Sequence, residues 1–314
     1  MASETRFAMV KGRFEIKPVG PYSLASSVRF LEEFAPASYE GGGADHLRLA
    51  FVADGFAERG ERVTGAYVYY EGDRVVGEAF GEADPEVVRE QVGRILSLDI
   101  DGNGFPEVGE RDPVVRRLQA RYPGLRPVCY YSPYEAAAWA LISHRIRIVQ
   151  AAKIKARVAQ ELGPSVEVCG EKVHAFPGPS RLARLKRFPG LTGRKIENLK
   201  RLAEEAAKGK LEASYLRSLP VEEALSQLKK LPGIGDFSAE LIVLRGAGEP
   251  DHLPTHEPRL GRAVAMAYSI DRPPSTEELE EMAERWRPYR TWVALHLRAM
   301  LEEETHEIAG GAGR

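Results

Sequence analysis

Two glycines spaced by one residue, Gly233 and Gly235 in the run Leu231-Pro-Gly-Ile234-Gly, are the residues of this chain that restrict its chemistry most. They sit between two stretches with helical periodicity, SQLKK before and DFSAELIVLRG after, which predicts two helices joined by a tight hairpin. Glycine reaches backbone angles closed to residues with a Cβ. It also leaves the amides at the start of the second helix bare enough to touch a phosphate. Such a helix-hairpin-helix grips nucleic-acid backbone without reading bases. A tight turn with no ligand is the competing reading, and a lone Gly-x-Gly would favour it.

A second cluster follows in GAGEPDHLPTHEPRLGRAVAMAYS, where a loop carrying Asp251, His256 and Glu257 meets a new helix beginning near Pro258 or Arg259. A carboxylate at that junction stays ionised beside the positive end of the helix dipole. It can serve as a fixed anion for a developing positive charge, or simply stabilise the helix end. Asp251 and His256 are weaker candidates for activating a water. Asp236, next to the hairpin amides, is an acid where a phosphate is expected; capping the following helix through the Ser238 or Ala239 amides would explain it.

The elements that must position these groups divide the chain. From Arg13 to about Gly81, short alternating runs (FEIKPV, HLRLAFVA, TGAYVYYEG, RVVGEAFG) read as strands, with a hairpin turn at 71–73 and helices at 23–34 and 85–98. After DIDGNGFPEVGE the spacing becomes helical and remains so. The fold class expected is therefore α+β: an N-terminal antiparallel sheet domain with helices (1–105), then two mostly helical lobes. One lobe holds the helix-hairpin-helix (132–250); the other combines 106–131 with 251–314 and completes a cleft.

Composition narrows the partners. Residues 1–110 carry 11 Lys+Arg against 20 Asp+Glu, whereas 141–210 carry 16 against 6, so a net charge of −2 conceals a basic middle suited to a polyanion. Cys129 and Cys169 are too few for a disulfide framework or a four-cysteine cluster. No apolar run approaches the roughly 20 residues of a membrane span, and the first residues lack a signal-peptide core. A cytoplasmic setting, without membrane association, is the expectation.

Taken together, the hairpin, the loop at 253–264, SPYEAAAWALISHRIRIVQAAKIKARVAQELG at 132–163, ERWRPYRTWVALHL at 284–297, PGLRP at 123–127, FPGPSRLARL at 176–185 and the Pro21-Tyr22…Phe30-Leu31 spacing resemble the helix-hairpin-helix DNA glycosylases, nearest the 3-methyladenine DNA glycosylase II group. The resemblance implies a monomeric base-excision repair enzyme acting on double-stranded DNA with damaged bases. It would extrude an alkylated nucleotide and hydrolyse its N-glycosidic bond. No cofactor is implied, although the hairpin carbonyls of such proteins can hold a monovalent cation. A non-catalytic helix-hairpin-helix DNA-binding protein is the alternative.

Carried over residue by residue, the resemblance places Glu257 where the family has its catalytic Asp, one methylene longer; a shifted alignment would put Pro254 there instead. Phe30, Phe237 and Arg298 fall at base-pocket positions, Arg298 replacing a tryptophan. Arg145 falls at the position that fills the gap left by the flipped base, with Ile146 a better apolar plug. Leu231, Gly233, Ile234 and Gly235 form the backbone-holding hairpin. Members that also cleave the strand place a Schiff-base lysine two residues after the second glycine. Here that residue is Phe237, and Lys229 and Lys230 precede the turn, so a monofunctional hydrolase leaving an abasic site is expected.

Overall fold

In the computed structural model, residues 10–33 and 45–306 are described. Strands β1 (Gly12–Ile16), β2 (His46–Val52), β3 (Val63–Glu71) and β4 (Arg74–Gly81) form one antiparallel sheet in the order β1-β4-β3-β2. The β3–β4 turn is the expected Glu-Gly-Asp, with Gly72 at φ 64°. Helices α1 (Leu24–Glu33) and α3 (Pro85–Ile95) cover one face; a short α2 (Phe56–Arg59) follows β2. Alternation decides which side chains go where. Leu47, Leu49, Phe51, Ala66, Val68, Val75 and Ala79 pack beneath α1 and α3, while Ala50 and Phe80 point the other way.

That other face is covered by a hairpin absent from the sequence expectation. Strands β5 (Ser165–Val168) and β6 (Glu171–His174) lie within the region read as uniformly helical, and they bring Val166 and Val168 onto Ala50 and Phe80. The reason is legible afterwards: SVEVCGEKVH alternates with period two around a Cys169-Gly170 turn whose residues have φ 50° and 81°.

The rest is helical, as expected. α4 (Phe105–Arg111) and α5 (Pro113–Arg121) precede α6 (Pro133–Ser143) and α7 (Ile148–Leu162). After the β5–β6 hairpin come α8 (Pro179–Leu182), α9 (Gly193–Ala206), α10 (Ala213–Arg217), α11 (Val221–Leu228) and α12 (Asp236–Ile242), which continues as a π-helical turn over Val243–Ala247. α13 (Leu260–Tyr268), α14 (Thr276–Ala283) and α15 (Arg290–Thr305) complete the described chain. Two cores hold these helices. One gathers α6, α7, α9, α11 and α12; the other joins α4 and α5 to α13–α15 around Trp286 and Trp292. The chain passes from the first core to the second through the loop 248–259, so side chains on that loop can be held from both sides.

Starts are set by local chemistry. Ser132 caps α6 by accepting from the Glu135 amide at 3.1 Å, with Pro133 at the first helical position. Inside the same body Lys155 of α7 meets Glu135 of α6 at 2.6 Å, both nearly buried, which ties the two helices on either side of their connecting loop.

Candidate active site

The hairpin connects α11 to α12. Gly233 has φ 86°, and a Cβ there would lie 2.6 Å from Asn198 Nδ2 of α9 and 2.8 Å from Leu141 Cδ2 of α6, so both conformation and space require glycine. Gly235 differs: its φ is −103°, and nothing lies within 4 Å of where a Cβ would stand. Its role is openness rather than strain. Ile234 is buried in the helical core and Leu231 packs against it, so the turn is anchored by its apolar residues while its glycines stay at the surface. The amides of Gly235, Asp236, Phe237 and Ser238 have no backbone partner among the described residues, and no side chain caps α12.

Asp236 does not cap α12. Its carboxylate accepts from Lys229 Nζ at 2.8 Å, across the turn. The Lys229 hydrogen bond and charge hold the Asp236 carboxyl below the usual aspartate range, and the nearby His256 adds to the effect. The acid beside the bare amides is thus offset by a cation from α11. Phe237, one residue on, is 41% exposed and belongs to no core.

The loop 251–259 is held from both lobes. On the hairpin side, Glu240 of α12 is buried and its carboxylate accepts from the His256 amide at 3.0 Å, from Thr255 Oγ1 at 3.2 Å and from His256 Nδ1 at 2.7 Å, with His252 Nε2 at 3.9 Å. Burial alone would raise the Glu240 carboxyl; hydrogen bonds from the two histidines and the His256 amide outweigh it and keep it below the ordinary glutamate range. On the other side, Asp251 pairs with Arg290 at 3.0 Å and Arg287 at 3.1 Å, and Thr291 Oγ1 donates to the His252 carbonyl at 2.9 Å. Asp251 is therefore occupied by α15 and its approach.

Glu257 stands at the end of this loop, just before α13, with its side chain 17% exposed. Oε1 accepts from the Arg259 amide at 3.1 Å and lies 3.5 Å from Arg259 Nε and 3.7 Å from Arg298 Nε. The dipole-stabilising position and the fixed-anion position coincide in one residue. Arg298, read from sequence as a cation at a pocket position, is brought onto the carboxylate in the proposed catalytic slot, so each screens the other.

The remaining candidates are set apart from this cluster. Phe30, on α1, packs partly buried on the sheet core, and the guanidinium of Arg245 in the π-helical turn lies 5.0 Å from its ring centroid. Arg245 is itself anchored by donating to the Val128 carbonyl at 3.0 Å. The cation stacked on Phe30 thus comes from the protein. Between α6 and α7 the chain turns sharply at His144–Arg147. Arg145 occupies the left-handed region at φ 58° and is exposed, whereas Ile146 folds back onto the helical core. A non-glycine residue at positive φ on a tight loop is a sign of conformational strain associated with functional sites. Lys195 of α9 donates to the Ile142 carbonyl at 2.6 Å and closes the end of α6 just before that loop.

Glu240 was missed in the sequence, and its partner His256 was read there only as a candidate for activating a water. The signal was present: a charged residue between Ala239, Ile242 and Val243, at a position where the helix must be buried, requires partners.

No protein-family model matches the chain. Among curated proteins, it is 25% identical over 206 residues to the DNA-3-methyladenine glycosylase of Bacillus subtilis, covering 64% of this chain and 68% of that one. It is 31% identical over 186 residues to DNA-3-methyladenine glycosylase 2 of Escherichia coli, covering 58% and 62%. The alignments thus span about two thirds of the length of these two relatives. Among solved structures, the 3-methyladenine DNA-glycosylase of Archaeoglobus fulgidus superposes with a TM-score of 0.77 over 93% of this chain and 99% of that chain, at 24% identity, so the two share a fold.

Proposed function

The chain belongs to the helix-hairpin-helix DNA glycosylase superfamily, and from that premise we propose that it is a monofunctional glycosylase that removes alkylated bases from duplex DNA and leaves an abasic site. The observation that carries the reading is the loop 251–259. It leaves the phosphate-holding hairpin and delivers one carboxylate, Glu257, fixed by Arg259 and Arg298.

Chemistry at the sugar of a stacked nucleotide is out of reach, so the nucleotide must be extruded first. Gly233 and Gly235 present the amides that hold the backbone, and Arg145, already strained and exposed, enters the stack in place of the flipped base. Ile146, committed to the core, supports it. As the base departs, positive charge develops on the deoxyribose. A pre-positioned carboxylate stabilises that charge without reorganising at the moment of reaction. Phe237 presents an exposed aromatic face on the hairpin and carries no amine, so no Schiff base forms there. The protein works as a monomer, without a cofactor; a monovalent cation at the hairpin carbonyls would be structural.

Incubating the protein with duplex DNA that carries methylated purines, and separately hypoxanthine, tests this directly. Release of a free base, with an abasic strand cut only by later alkali and no borohydride-trapped adduct, is expected. Tight binding without any released base across the panel would make it a DNA-binding protein only, and a trapped adduct would make it a lyase.

A further inference from the structure

We propose that Glu240 is a positioning residue that couples the DNA-gripping hairpin to the reactive carboxylate, acting through His256. The inference rests on the glycosylase reading above and deepens it. Glu240 lies one helical turn after Asp236, on the helix whose first amides are bare. Its nearly buried carboxylate accepts hydrogen bonds from two consecutive loop residues, Thr255 and His256, and the next residue in the chain is Glu257. Any shift of α12 when its N-terminal end meets a phosphate is therefore passed to the loop carrying the anion. Misplacing that anion by about 1 Å is costly, on the order of a hundredfold in rate.

The pairing also fixes the imidazole. Nδ1 is directed at Glu240 while the ring stays half-exposed. The charged and titratable groups facing His256 are Glu240 and Asp236 on α12, the latter paired with Lys229 of α11, and His252 on its own loop; Glu257, next in sequence, is turned to Arg259 and Arg298. Glu240→Gln keeps the shape and an acceptor for the His256 amide but removes the charge. It also sets an amide NH2 where a carboxylate oxygen now accepts from Thr255 and His256, and that is where the loop should loosen.

The rate of base release in a single turnover and the affinity for undamaged duplex, measured for wild type, Glu240→Gln, Glu257→Gln and the double variant, test the coupling. Glu240→Gln should be slower than wild type by about tenfold or more, with DNA affinity little changed. In the Glu257→Gln background the same substitution should cost little further, because the anion it positions is gone. Glu240→Gln at the wild-type rate, or a loss that multiplies in full with that of Glu257→Gln, would overturn the proposal. A wild type that releases no base from any lesion removes the catalytic coupling together with the glycosylase reading, whereas an active wild type with an unaffected Glu240→Gln removes the coupling alone.

Discussion

Replacing Glu257 by Gln isolates the electrostatic contribution of one side chain. Gln is nearly isosteric and can still accept from the Arg259 amide, which the carboxylate does at 3.1 Å, so the turn before α13 should survive. What is lost is a unit negative charge. Two unit charges about 4 Å apart interact by about 4 kcal/mol at an effective dielectric near 20. That is roughly a thousandfold in rate if all of it appears only in the transition state. The full amount is not available here, because the guanidinium nitrogens of Arg259 and Arg298 lie 3.5 and 3.7 Å from Oε1 and cancel part of the field at the sugar. A loss of about a hundredfold, near 2.7 kcal/mol, is the expected outcome of single-turnover base release from alkylated duplex, with unchanged binding to an undamaged duplex. Glu257→Asp retracts the charge by one methylene, about 1 Å, and should lose up to about a hundredfold. Base release by Glu257→Gln at the wild-type rate would refute the assignment, and the counter-charge would have to be sought on another residue.

Other consequences are as specific. Gly233→Ala should destabilise the fold by about 1–3 kcal/mol through its left-handed conformation and the approach to Asn198 and Leu141, whereas Gly235→Ala should melt like wild type; thermal denaturation separates them. Asp236→Asn removes an acid beside the bare amides and frees Lys229 for a phosphate, so duplex binding should tighten and the slope of log affinity against log salt should steepen by about one contact. Burial of His296 pushes its imidazole below the ordinary range, outweighing the backbone hydrogen bonds that favour its charge. The unfolded chain therefore binds a proton that the folded chain resists. Stability from this site is complete above about pH 6.5 and falls as pH drops toward the folded value. His296→Leu should flatten that part of the melting-temperature profile between pH 7.5 and 5.5.

Much of this arrangement was legible in the chain because each feature has a local cause. Alternation in HLRLAFV and RVVGEAFG gives strands, Ser132-Pro133 opens α6, and Leu231-Pro-Gly-Ile-Gly makes the hairpin. The pairing of Arg298 with Glu257 was legible only as a question, since 41 residues separate the two and only packing of α13 on α15 brings them together. Asp236 misled for the opposite reason. Its position suggests a helix cap, yet a lysine seven residues earlier competes across the turn and wins. Glu240 lay outside any motif: its partners come from a loop 15 and 16 residues on, and only burial reveals that it must have them. The β5–β6 hairpin was obscured because two strands of four residues each stood among long helical runs.

That hairpin has a consequence for how the molecule can be divided. Val166 and Val168 extend from the helical body across the outer face of the front sheet, so tightly that a Cβ on Gly65 would meet Val168 at 2.4 Å. A fragment ending after the sheet would expose Ala50 and Phe80 to water, and one beginning after it would leave two valine-bearing strands uncovered. The acidic front unit is therefore no detachable accessory to a self-sufficient DNA-binding half. It is a buttress whose loss would be felt in the rigidity of the helical body that carries the hairpin.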